Sequence, residues 1–183
     1  GLSAVLGGRV AGAASIIAVD TVPEKLKTAR TLGATEAVHA GGGDVVATIR
    51  ELSHGGVDYA FECTGVEAVM TQAYEATRRG GTTIAVGLPA PQKRLAIPIV
   101  SLVAEERTVK GSYMGSAVPK RDIPRLIALH RAARLPVELL LSGSVALEDL
   151  NAAFDRLDNG ETVRQVLSLP LIEAHRTTAA VQH

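Results

Sequence analysis

The sequence predicts an α/β chain, a doubly wound parallel sheet followed by a smaller and less regular portion. Three observations predict it. Strand-like and helix-like segments alternate with short connections from Gly1 to Pro89. The strand-like segments are largely apolar, and Ile16 to Val19 is continuously so, as expected of parallel strands covered on both faces. A glycine-led helix, a buried strand and an acid at the strand's tip stand in that order from Gly1 to Asp20. This order is the second half of a dinucleotide-binding unit. There a strand, a glycine turn and a helix hold a pyrophosphate, and an acid roughly 20 residues on takes the ribose hydroxyls. Gly1 is read as the last glycine of that turn. The strand and glycines that precede it in such a unit are expected upstream. The chain is therefore expected to be a piece of a larger protein, with a sheet lacking its first strand.

Leu2, Val5, Leu6, Val10 and Ala14 recur at helical spacing and give a small, smooth face for packing on a sheet. Gly7, Gly8 and Gly12 suit close approach of that helix to its neighbours. Ile16 to Val19 is the next strand, ended by Asp20. Pro23 stands at a first helical position, and the helix continues to Leu32, where Gly33 stops it. Ala37 to His39 is a weak strand. Gly41-Gly42-Gly43 has the look of a phosphate loop, but Asp44 behind it would repel phosphate and fits an N-cap for a helix over Val45 to Leu52. Val57 to Phe61 is a strand, Val66 to Arg79 a helix closed by Gly80-Gly81, and Thr82 to Val86 a strand. After Pro89 the rhythm changes. A short helix is expected over Leu102 to Glu106 and an alternating edge strand over Thr108 to Tyr113. A helix over Asp122 to Arg134 and a strand over Val137 to Val145 follow, then a helix over Leu147 to Leu157 and a closing strand over Thr162 to Leu169. The domain boundaries are drawn at 1–112 for the cofactor-binding part, 113–170 for the second part and 171–183 for a loose tail.

The chain has 183 residues and no net charge, which gives no argument for nucleic acid or an anionic membrane. Aromatic residues are too scarce for base-stacking platforms. No apolar run reaches the ~18 residues of a membrane span. No signal peptide is read at Gly1. The single cysteine, Cys63, fits a reducing compartment, and a cytoplasmic location is expected.

Asp20 is the most informative position. A carboxylate at a strand tip accepts bonds from the adenosine 2′- and 3′-hydroxyls and repels a 2′-phosphate, so it selects NAD over NADP. Its plainer reading is a strand-end turn. Lys25, one helical turn on, either joins the same ribose or is solvated. Gly65 and Gly87 each follow a buried strand, where glycine lets a ligand approach the backbone. Arg164 reads as a surface ion pair. Cys63 reads as core. Glu105-Glu106 reads as a solvated helix end. No histidine spacing suggests a metal site. Ser3 and Ser112 lack a visible base, and no G-x-S-x-G is present.

Taken together, several segments resemble the medium-chain zinc-dependent alcohol dehydrogenases. They are Gly1-Leu-Ser-Ala-Val, Ile16-Ile-Ala-Val-Asp20, Glu24-Lys-Leu26, Leu32-Gly-Ala-Thr35, Val57 to Gly65, Val86-Gly-Leu-Pro89, Lys110-Gly-Ser112 and Gly160 to Arg164. Gly111 to Ser116 with Arg121 to Arg125 is similar to the branch near the formaldehyde and thiol-adduct dehydrogenases. The resemblance implies a Rossmann-like NAD-binding domain followed by the carboxyl-terminal part of a catalytic domain. It implies that Asp20 and Lys25 hold the adenosine ribose and that Thr64 and Gly65 line the adenine side. Val86, Gly87 and Leu88 would pack on the nicotinamide ribose and ring. The backbone at Ser112 and Met114 would hold the carboxamide, and Arg164 would bind the pyrophosphate, reversing its plainer reading. Tyr113 and Leu88 would touch a small alcohol or aldehyde. The edge strand from Thr108 would pair in a homo-oligomer. The family's catalytic zinc and its ligands lie before the glycine fingerprint, so no catalytic residue and no metal ligand is assigned here. The polypeptide alone is expected to be inactive. A non-catalytic remnant, a methyltransferase with an acid at the same strand tip, and a zinc-free quinone reductase remain the alternatives. Asp20 argues against the NADP preference usual in the last.

Overall fold

The structure is a computed structural model and describes residues 1–169. They divide into two compact units, the first running from Gly1 to Pro136 and the second beginning at Val137. The first holds the parallel α/β architecture, Rossmann-like, in five strands: β1 (Ile17–Asp20), β2 (Glu36–His39), β3 (Val57–Glu62), β4 (Thr77–Ala85) and β5 (Thr108–Gly111). Its helices are α1 (Leu2–Ala11), α2 (Pro23–Leu32), α3 (Val45–Leu52), α4 (Glu67–Ala76), α5 (Ile99–Ala104) and α6 (Pro119–Arg131).

The early elements follow the residues' own signals. Gly12, at φ 78°, closes α1, and Gly33, at φ 120°, closes α2. Pro23 opens α2, where its missing N–H costs nothing. The Asp44 side chain accepts a hydrogen bond from Ala47 N at 3.0 Å and caps α3, so Gly41 to Gly43 is a turn leading into that cap.

The strands form two ladders. β1 pairs with β2, and β4 lies between β3 and β5, all in parallel. No hydrogen-bonded ladder joins β1 to β3 among the described residues. In the usual doubly wound order those two strands flank a common first strand. Packing bridges the ladders instead. Val45 and Ile49 of α3 and Ala76 of α4 cluster with Val38 of β2, and Ile17 of β1 and Val57 of β3 pack against them. A second apolar set, Leu6 of α1 with Leu26, Ala29 and Leu32 of α2, is buried where those helices meet. The outer side of β3 is different, with Tyr59 65% and Phe61 54% exposed.

Several expectations need correction; the short helix expected over Leu102 to Glu106, for one, runs from Ile99 to Ala104. The helix after Gly65 ends at Ala76, and the strand begins at Thr77 and runs through Gly80-Gly81. The Thr77 hydroxyl donates to Ala73 O at 2.8 Å and meets the Thr83 hydroxyl at 2.9 Å, with both threonines fully buried. This turns the chain into the sheet. Gly80-Gly81 then forms a bulge, since the register moves from Val57↔Thr77 to Tyr59↔Thr82. A Cβ on Gly81 would lie 2.6 Å from Thr77 Cγ2. Second, Val137–Leu140 is a turn of 3₁₀ helix, and only Gly143–Val145 (β6) is strand. A short apolar run does not distinguish the two, and Pro136 starts the turn. Third, the closing strand is only Gln165–Leu167 (β7), paired in parallel with β6, and α7 (Leu150–Asp158) joins them. Fourth, Glu105 is not a solvated helix end. It pairs with Arg107 at 2.5 Å, and the Arg107 guanidinium lies 4.8 Å from the centre of the Tyr74 ring. The tail expected over 171–183 lies outside the described residues.

Leu32 is fully buried at the end of α2. Leu32→Ala should cost about 2–5 kcal/mol of stability in denaturant unfolding, and a loss under about 1 kcal/mol would contradict the packing given to this helix. At the start of α6, Asp122 accepts from Arg121 and from Val118 N, which hold its carboxyl at about 2 against an ordinary 3.8. The folded value is the lower, so the contribution is complete above pH 3.8 and is lost as pH falls through about 2. An NMR titration of this carboxyl should have its midpoint near 2, and a midpoint at 3.8 would contradict the contact.

Candidate functional site

A parallel ladder carries all its strands' carboxyl ends to one edge, and in open α/β sheets ligands bind there. Asp20 ends β1. Its Oδ1 accepts from Val22 N at 2.9 Å, so the strand-end turn is real. That bond orients the carboxylate, and no bond to its second oxygen stands among the described residues. Lys25 lies half-buried in the first turn of α2. Gly1 caps α1, its carbonyl accepting from Ala4 N at 2.8 Å and Val5 N at 3.2 Å. A Cβ built on Gly1 meets nothing within 4 Å.

On the other ladder the turns after β3 and β4 touch. Glu62, the last residue of β3, is 3% exposed. Its Oε1 accepts from Thr64 N and Thr64 Oγ1, both at 2.5 Å, and from Gly65 N at 2.8 Å. Its carbonyl accepts from Val86 N at 2.8 Å and Gly87 N at 3.0 Å. Gly65 has φ 75°, which glycine adopts without strain. A Cβ on Gly87 would lie 2.1 Å from Gly65 N, so no other residue fits there without moving the turn. A Cβ on Gly65 would lie 3.1 Å from the Leu88 carbonyl. Sequence reasoning singled out both glycines but missed Glu62. The signal was an acid closing an otherwise apolar-rich strand, directly before Cys-Thr-Gly.

The Thr64 hydroxyl is spent within the turn, donating to Glu62 and accepting from Val66 N at 3.1 Å. Thr64 therefore offers a ligand its shape and backbone. Val86 and Leu88 are exposed beyond β4. Ser112 follows β5 and donates its N–H to Ala85 O at 2.9 Å, which places it beside the β4 exit. Met114 is exposed and has φ 48°. Arg164 lies in the second unit, exposed, its N–H donating to Ser142 Oγ at 3.4 Å. The structure thus brings Thr64, Gly65, Gly87, Leu88 and Ser112 around the exits of one ladder, and Gly1, Asp20 and Lys25 belong to the other ladder with α1 and α2.

Cys63 is half-buried beside the Phe61 carbonyl, not a core residue. No group of three or more His, Cys, Asp or Glu that could hold a metal ion occurs among the described residues. They do not fit a zinc, so no step below passes through one. No helix among them is long and apolar enough to cross a membrane.

Comparison with known proteins agrees with the geometry. Residues 1–132 match the family described as zinc-binding dehydrogenase. Alcohol dehydrogenase 1 of Zea mays is 35% identical over 92% of this chain and 45% of its own. Alcohol dehydrogenase class-3 of Myxine glutinosa is 34% identical, with 92% and 46% covered. Among solved structures, an alcohol dehydrogenase zinc-binding domain protein from Burkholderia ambifaria superposes with TM-score 0.88 at 41% identity, covering 92% of this chain and 45% of that one. Benzyl alcohol dehydrogenase from Acinetobacter calcoaceticus gives 0.89 at 33% identity, covering 93% and 47%. The chain spans about half the length of these relatives. It belongs to the medium-chain zinc-dependent alcohol dehydrogenase family.

Proposed function

We propose that the chain is the NAD-binding portion of a zinc-dependent alcohol dehydrogenase, followed by the carboxyl-terminal part of its catalytic domain. The parent reaction is hydride transfer between a small alcohol or aldehyde and NAD. The observation that carries this reading is Asp20 at the tip of β1, its carboxylate turned by Val22 N and its second oxygen left to accept. A carboxylate fixed at that point suits the ribose hydroxyls and opposes a 2′-phosphate.

The remaining roles follow the strand exits. Lys25 adds a bond to the same ribose. The amino end of α1 at Gly1 takes the pyrophosphate. Arg164 is assigned to the pyrophosphate by the family resemblance. Thr64 and Gly65 wall the adenine side, and Val86, Gly87 and Leu88 present a flat surface to the nicotinamide ribose and ring. The backbone at Ser112 and Met114 orients the carboxamide. When bound, NAD supplies the hydride acceptor. The chain's own part is to hold the ring in one orientation and keep water from its face. The polypeptide 1–183 alone is inactive in this reading. The lone Cys63 suits a cytoplasmic setting. The exposed edge of β5 suits pairing in a homo-oligomer. Neither nucleic acid nor a membrane is a partner in this reading.

The test is alcohol-dependent NADH formation by the protein as its gene encodes it, over a panel of small alcohols. Asp20→Ala should raise KM for NAD about 10- to 100-fold, the loss of charge-assisted bonds, with kcat little changed. Tight binding of adenosylmethionine in place of NAD would refute the assignment. Turnover by residues 1–183 purified alone would refute their inactivity.

A further inference from the structure

Glu62 has no assigned role, yet it is the most constrained polar group at the ladder's exits. Burying a carboxylate is costly unless donors surround it. Here three donors converge on Oε1, all from Thr64 and Gly65. None is a lysine or arginine, so the charge is held by the turn itself. The same residue's carbonyl takes Val86 N and Gly87 N from the next strand exit. One residue thus ties both turns, side chain to one and main chain to the other. The contact between them is backbone on backbone. A Cβ on Gly87 would lie 2.1 Å from Gly65 N, 2.7 Å from Gly65 Cα and 2.8 Å from Glu62 Oε2. A gap this narrow survives only if the Thr64–Gly65 turn cannot drift.

We propose that Glu62 is a positioning residue of the cofactor seat, whose carboxylate clamps the Thr64–Gly65 turn against Gly87–Leu88 and so sets the affinity for NAD. The inference rests on the NAD reading above. Glu62 acts through the two turns, and the negative charge matters because charge-assisted bonds are roughly twice as strong as neutral ones.

The test is calorimetric NAD binding by the protein as its gene encodes it, for wild type, Glu62→Gln, Thr64→Val and the double variant. Each is measured at a temperature where circular dichroism shows it folded. Glu62→Gln should weaken NAD binding about tenfold at unchanged stoichiometry, whereas a merely structural defect lowers the bound fraction and leaves Kd alone. Thr64→Val removes the hydroxyl arm and should weaken binding by less. The double variant should fall short of the product of the two effects, because both act through one clamp. NAD affinity within twofold of wild type in both single variants would overturn the proposal, as would effects that simply multiply. Wild-type protein that does not bind NAD would overturn the underlying reading, and this proposal with it.

Discussion

Within each ladder of the first unit every strand runs the same way, and most of what the structure offers a ligand depends on that. Parallel pairing forces each strand to return through a crossover, so helices fill the intervals and the exits of each ladder collect at one edge of it. Asp20, Glu62, Val86 and Ser112 stand at or just beyond those exits. They are far apart in sequence and share no local motif. The backbone direction places each at the carboxyl end of its own ladder.

The gathering is tightest where side chains are smallest. Gly65 and Gly87 let two turns meet backbone to backbone, and the buried Glu62 carboxylate supplies the acceptors that the turn's own N–H groups need. Asp20 works differently. One oxygen goes to the local turn, which fixes the direction of the other. In each case the cost of orienting a charged group is met within three residues of it, so the surface is shaped before a ligand arrives.

Much of this was legible in the residues. Periodicity, Pro23, Gly33 and the Asp44 cap marked the first helices because those signals act locally. Asp20, Gly65 and Gly87 were legible because they sit where apolar runs stop. The later portion was less so. Thr77 reads as helix from its neighbours, and only its hydroxyl contacts with Ala73 and Thr83 turn it into strand. Val137 to Leu140 reads as strand because it opens a short, mostly apolar run, which periodicity alone does not assign. Glu62 escaped notice because its contacts are a fold-back onto Thr64 and Gly65, of which the sequence shows only an acid closing a strand before Cys-Thr-Gly. Arg164 stands in the second unit, and its reading as a phosphate ligand rests on family resemblance.

The central claim is that the strand exits of the first unit are built for NAD, with Asp20 as the selecting group. It is tested most directly by titrating the wild-type protein, as its gene encodes it, with NAD and with NADP in the same buffer. The account predicts saturable NAD binding with NADP at least about tenfold weaker, because the 2′-phosphate meets a fixed carboxylate. Equal affinities, or tighter binding of NADP, would contradict it.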